Sequence, residues 1–142
     1  MPSVNFYFQV HQPYRLRHYT FFDIGESPFY ENEEANHGIM RKVTDKCYMP
    51  MNKLLLELIE QYEGKFKLSF SISGTALDQF EAYAPEVIES FQALIKTGCV
   101  ELLSETYNHS LAFLYSQEEF CNQLIMHDNR IHELFGVRPQ VF

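Results

Sequence analysis

Hydrophobic and polar residues alternate through residues 4–10, with Val4, Phe6, Phe8 and Val10 on one side and Asn5, Tyr7 and Gln9 on the other. That period of two predicts a β-strand. Residues 14–36 hold no sustained period and read as a long connection. A helix is predicted over 45–63, with Leu54, Leu55, Leu58, Ile59 and Tyr62 as its apolar face, Pro50 in its first turn and Gly64 as its stop. The pattern leaves open a start nearer Glu34.

Alternation returns at 66–72, where Phe66, Leu68, Phe70 and Ile72 interleave with Lys67, Ser69 and Ser71. A short helix is predicted over 77–83. Another starts at Pro85, buries Val87, Ile88, Phe91, Leu94 and Ile95, and stops at Gly98. A third strand covers 99–104. Ser116-Gln117-Glu118-Glu119 reads as a capping box, opening a helix that uses Phe120, Leu124, Ile131, Leu134 and Phe135 and ends at Gly136. A strand start, Gln140-Val141-Phe142, closes the chain.

Gly64, Gly98 and Gly136 each separate a helix from a following strand. Strand–helix repetition of this kind is the grammar of a parallel sheet in an α/β protein. Such sheets need helices on both faces or closure into a barrel. A closed eight-fold barrel takes about 250 residues, against 142 in this chain. The expected unit is therefore one partial domain over 1–142: the N-terminal part of an α/β barrel, its first three β/α units, cut at the start of the fourth strand.

Composition narrows the function classes. At 46% hydrophobic the chain can bury one core. A net charge of -8 repels phosphate backbones, so nucleic acid is not an expected partner. No apolar run reaches the roughly 18 residues of a membrane span, and the N-terminus lacks the pattern of a signal peptide. Cys47, Cys99 and Cys121 form no CxxC and sit among apolar neighbours, which predicts reduced core thiols in a cytoplasmic protein.

In parallel α/β folds the chemistry gathers where strands end. The first strand ends in His11-Gln12-Pro13, and the proline holds the turn off the strand extended. The imidazole and amide suit sugar hydroxyls, or the histidine simply bonds a neighbouring strand. Ser73-Gly74-Thr75 at the second end reads better as a helix cap than as a ligand contact.

The third end, CVELLSETYNHS, carries Glu101 inside an apolar strand, where an unpaired carboxylate needs a partner or a role. Glu105, Asn108 and His109 follow, either as site residues or as a solvated loop. Unless the strand ends before Glu105 and the loop folds back, the four residues span roughly 13 Å, too wide for Glu101 and Glu105 to act as a glycosidase pair, whose carboxyls sit about 5 to 9.5 Å apart. Their expected role is to orient substrate. The connection after the first strand holds Tyr14, Tyr19, Phe21, Phe22, Phe29 and Tyr30 with Arg15, Arg17 and Asp23. Most of its rings are expected to pack, with one or two facing a ligand. No HExxH, P-loop, GxGxxG or nucleophile elbow is present. His127 and His132 are expected on a helix surface.

The stretch FQVHQPYR resembles the first signature of glycoside hydrolase family 57, the α-amylase and 4-α-glucanotransferase group. Gly98-Cys99-Val100-Glu101 resembles its second, Gly-x-x-Glu. The resemblance covers nearly the whole chain. It implies an incomplete seven-unit, TIM-like (β/α)7 barrel of parallel strands with alternating helices, acting on α-glucans with retention. His11, Gln12 and Glu101 would line the cleft, joined by Glu105 and His109. It also implies that the nucleophilic Glu and the acid Asp lie beyond Phe142, so that residues 1–142 supply substrate contacts without turnover, with neither metal nor cofactor.

Two rivals differ in class. A polysaccharide deacetylase on a related barrel would need an Asp and two His as metal ligands, and no paired-histidine spacing is present. A non-catalytic carbohydrate-binding protein would be complete at 142 residues. An open part-barrel exposes a strand edge and apolar faces, so the isolated chain is expected to self-associate.

Overall fold

The computed structural model describes residues 4–142. The residues before Val4, which bear on the signal-peptide reading, lie outside that range. Three strands, β1 (Phe6–Val10), β2 (Leu68–Ile72) and β3 (Val100–Leu103), pair in parallel in the order β1-β2-β3. The α/β reading with parallel strands and alternating helices holds. The register sets Phe6, Phe8 and Val10 beside Leu68, Phe70 and Ile72, and the last two strands pair Phe70 with Leu102. Partners across parallel strands share a face. One face is therefore apolar and covered by helices, and the other presents Tyr7, Gln9, Ser69, Ser71, Glu101 and Leu103.

Between β1 and β2 the helical stretch begins well before residue 45. Helix α1 (Glu33–Val43) runs through a π-helical turn (Thr44–Tyr48) into α2 (Met49–Gln61). The long connection accordingly ends near Asn32, whose Oδ1 accepts from the Ala35 N–H at 3.0 Å and caps α1. Only Asn36 and Met40 of α1 are buried, too thin a stripe for periodicity to register. In α2 the buried face is Asn52, Leu55 and Ile59, and Leu54 and Tyr62 turn outward.

Helix α3 (Gly74–Tyr83) starts earlier than residue 77 because Ser73 caps it, accepting from the Ala76 N–H. Helix α4 (Pro85–Lys96) buries Val87, Ile88, Phe91 and Leu94 as expected. Phe91 meets Phe70 edge-on at 5.2 Å between ring centroids, and Phe80 meets Tyr48 likewise at 5.0 Å. These contacts tie the sheet to the helical layer.

Helix α5 (Gln117–Phe135) departs from expectation in three ways. Its buried residues are Gln123, His127 and Ile131, a stripe at i, i+4, i+8 that is two-thirds polar. His127 is thus fully buried rather than on the surface, because its Nε2 bonds the Ile72 carbonyl at 2.9 Å. His132 is exposed. The capping box is half made: Ser116 Oγ accepts from the Glu119 N–H, but the Glu119 carboxylate turns to the Gln123 amide, at 2.8 Å. A buried amide one turn away outcompetes the helix end for that carboxylate.

The cysteine expectation fails for two of three. Cys99 is buried under the Gly64 carbonyl, whereas Cys47 and Cys121 are exposed, placed by helical phase on outward faces. At the far end, the Ser104 N–H donates to the Val141 carbonyl at 2.7 Å, and Phe142 packs on Phe120 at 5.7 Å. The chain thus returns alongside β3. No helix among the described residues is long and apolar enough to cross a membrane.

Candidate functional site

Parallel register puts the three strand exits level. Val10 pairs with Ile72, and Ser71 pairs with Leu103, so His11, Ser73 and Glu105 emerge together at the C-terminal edge. The Ser73 N–H donates to the Val10 carbonyl at 3.0 Å, carrying the pairing to this edge. His11 Nδ1 sits 2.8 Å from Ser73 Oγ, and Ser73 Oγ lies 3.1 Å from Thr75 Oγ1.

His109 arrives from the loop after β3 and stacks on His11, with ring centroids 4.5 Å apart. Its backbone is left-handed, φ 52°, an uncommon state for a residue with a side chain. Its Nδ1 lies 2.9 Å from Glu105 Oε2. The Gln9 amide nitrogen lies 3.1 Å from that Nδ1 and 3.2 Å from Nε2 of the same ring. Glu105 is 8% exposed, and its Oε1 is buried without a partner among the described residues. A buried carboxylate oxygen of this kind is an acceptor held ready for a donor.

Burial, chiefly, and then the nearby His109 and Arg15 push the His11 pKa below its usual value. His11 therefore stays neutral near pH 7 and can both donate and accept. Beside the pair opens a cavity of about 590 Å³, bordered by Tyr7, Gln9, Glu105, His109, Phe113 and Phe120. Two imidazoles, an amide, hydroxyls and one carboxylate beside aromatic walls suit a neutral, hydroxyl-rich ligand.

Gln12 points away from this cluster. Its Nε2 donates to the Tyr48 hydroxyl at 3.0 Å and its Oε1 accepts from Arg15 Nη2 at 3.0 Å, which leaves one amide hydrogen and one lone pair free. The Gln79 amide fixes the Gln12 carbonyl at 2.7 Å. Glu101 is exposed on the open face beside Ser69, within β3, whereas Glu105 lies two residues past the end of that strand. It is not buried in an apolar strand interior, because β3 offers helices only its other face. Glu101 is not brought into the His11–His109 cluster, whereas Glu105 and His109 are.

The aromatic connection folds on itself through Tyr19–Tyr30 stacking at 4.6 Å and the Arg17–Asp23 ion pair, while Phe21, Phe22 and Phe29 stay exposed. Ser73 was legible as a cap but not as the partner of His11. Gln9 was legible as an outward strand residue but not as a partner of His109. Only strand register could have revealed either. The histidine pair likewise joins residues that no spacing rule connects. Among the described residues no three His, Cys, Asp or Glu side chains converge as a metal-binding group.

Known proteins share this arrangement of elements. The chain is 38% identical over 145 residues to a Methanocaldococcus jannaschii protein named "Putative alpha-amylase", covering 98% of this chain and 30% of that one. It is 27% identical over 124 residues to an alpha-amylase of Pyrococcus horikoshii, covering 87% of this chain and 16% of the relative. The chain thus spans less than a third of either relative.

Among solved structures, the 4-alpha-glucanotransferase from Thermococcus litoralis superposes with a TM-score of 0.67 at 20% identity, over 96% of this chain and 18% of that one. A GH57 branching enzyme from Thermococcus kodakaraensis, in complex with glucose and additives, gives 0.64 at 15% identity, over 96% of this chain and 31% of that one. The model of glycosyl hydrolase family 57 matches residues 5–142. By that match the chain belongs to glycosyl hydrolase family 57.

Proposed function

We propose that residues 4–142 form the substrate-contacting front of a retaining, amylase-type glycoside hydrolase acting on α-glucans such as starch, glycogen or maltodextrins. The observation that carries this reading is the His11–His109–Glu105 cluster, packed at the strand exits beside an open cavity in a family 57 chain. His11 binds sugar hydroxyls as a neutral ring, and His109 binds them through its imidazole beside Glu105. Glu105 accepts through its free Oε1 and holds His109 through the other oxygen. Gln12 anchors the turn and offers its remaining hydrogen and lone pair. The role of Glu101 rests on the family signature alone.

Glu101 lies in β3 and Glu105 two residues past its end; a chain extended throughout would set them roughly 13 Å apart, wider than a retaining pair. In this reading the carboxylates that break the bond come from residues beyond Phe142. Isothermal titration of the full-length protein with maltooligosaccharides tests the binding role. His11→Ala and His109→Ala are each expected to weaken affinity about tenfold, the worth of one well-made hydrogen bond. Unchanged affinity in both folded variants would remove the cluster from the binding site.

A further inference from the structure

Tyr107 has no assigned role toward substrate, and its ring occupies the space a side chain at residue 74 would need. A Cβ built on Gly74 would lie 2.4 Å from Cγ and Cδ1 of that ring. Gly74 is the first residue of α3, directly after the Ser73 that pairs with His11. The Tyr107 hydroxyl donates to Asp78 Oδ1 at 2.7 Å, and its carbonyl accepts from the Thr75 N–H at 3.3 Å. The loop bearing Glu105 and His109 is therefore docked on the same helical turn that holds His11.

Beyond Tyr107 the loop has a second anchor. The Asn108 N–H and the Ser110 hydroxyl both donate to Gln123 Oε1 of α5, at 3.2 and 2.9 Å. Between these anchors His109 sits at φ 52°, a state that persists only where the surroundings impose it. Releasing one anchor lets the loop relax, which would move the His109 ring off His11 and take the partner from Glu105.

We propose that Tyr107, packed on Gly74, is a positioning residue that holds His109 against His11, so that the first turn of α3 sets the geometry of both rings. Ser73 fixes one ring by its hydroxyl, and Gly74, Thr75 and Asp78 fix the other through Tyr107. This rests on the sugar-binding reading of the same cluster for its functional meaning, but its geometric content stands apart from that reading.

The test compares Tyr107→Ala, Tyr107→Phe and Gly74→Ala in the full-length protein. Side-chain NMR signals of His11 and His109 report the stack, because each ring lies in the ring-current field of the other. Thermal midpoints and maltooligosaccharide affinity are measured in parallel. Tyr107→Ala and Gly74→Ala are expected to shift both histidines' signals and weaken affinity about tenfold, the scale of one lost hydrogen bond. Tyr107→Phe keeps the ring and is expected to restore the signals, with affinity within about threefold of wild type by the same measure. If Tyr107→Ala does not fold, Gly74→Ala decides alone. Unmoved histidine signals in a folded Tyr107→Ala or Gly74→Ala protein overturn the proposal. If His11→Ala weakens binding while those two variants bind normally, the positioning role fails and the sugar-binding reading survives. If the wild-type protein binds no maltooligosaccharide, that reading fails, and the histidine signals still decide the role of Tyr107.

Discussion

His127 shows how one residue links fold to solution conditions. It has no solvent exposure, its Nε2 bonds the Ile72 carbonyl at 2.9 Å, and its Nδ1 is buried without a partner among the described residues. Burial, the largest influence, lowers its pKa below 6.5, while the Ile72 carbonyl, Glu105 and Asp128 pull the other way. Because the folded value lies below the unfolded one, the contribution to stability is complete above pH 6.5. It is lost as pH falls from there through the folded value, since the unfolded chain takes up the proton first. The urea midpoint is expected to fall over that range in wild type, and less steeply in His127→Gln. His11, whose pKa is also lowered, keeps some slope in the variant. Equal slopes in the two proteins would show that His127 does not titrate on unfolding. A helix stripe that mixes Gln123, His127 and Ile131 gives no apolar signal, so this role was not readable along the chain. His11 was readable because a strand pattern and Pro13 mark its position locally.

Among the elements, α3 does the most to build the site. Its cap, Ser73, accepts from the Ala76 N–H and pairs with His11, so one hydroxyl serves both the helix and the imidazole. Ser73→Ala is expected to cost about 1 kcal/mol through the lost cap, read as a lower urea midpoint. Ser73→Asp retains the capping oxygen and is expected to recover that stability near neutral pH, while its carboxylate raises the His11 pKa from its lowered value. A Ser73→Asp protein as unstable as Ser73→Ala would assign the loss to something other than the cap. The cap, Pro85 and the glycine stops were legible because each acts within a turn or two of its own backbone. Helix α1 was not, since its register depends on Met40 and Asn36 reaching a core built by distant residues. Nor was the π-helical turn that delivers Tyr48 to Gln12.

The molecule as a whole is a three-stranded layer with helices on one face. Its rim exposes large apolar groups: Phe6, at the start of β1, is 45% exposed, and Phe113 and Tyr115, in the loop before α5, are 57% and 92% exposed. With β1 an unpaired edge, such a surface favours pairing with a second copy. The isolated 142-residue chain is therefore expected to sediment faster as its concentration rises. A single monomeric species across that range would mean these rings cover one another well enough in solution.

The order of strands and helices, the caps and stops, the exit of His11 before Pro13, and the family signatures were all available from the linear chain. Each arises within a few residues, where dihedral preference and side-chain period act. The His11–His109 stack, the Glu105–His109 pair, Tyr107 against Gly74 and the burial of His127 exist only once the chain has folded. They join residues remote in sequence, and parallel pairing brings them level by setting three strand exits at one edge. Hydrophobic period specifies which face a strand buries, but not which neighbour's polar group will meet it.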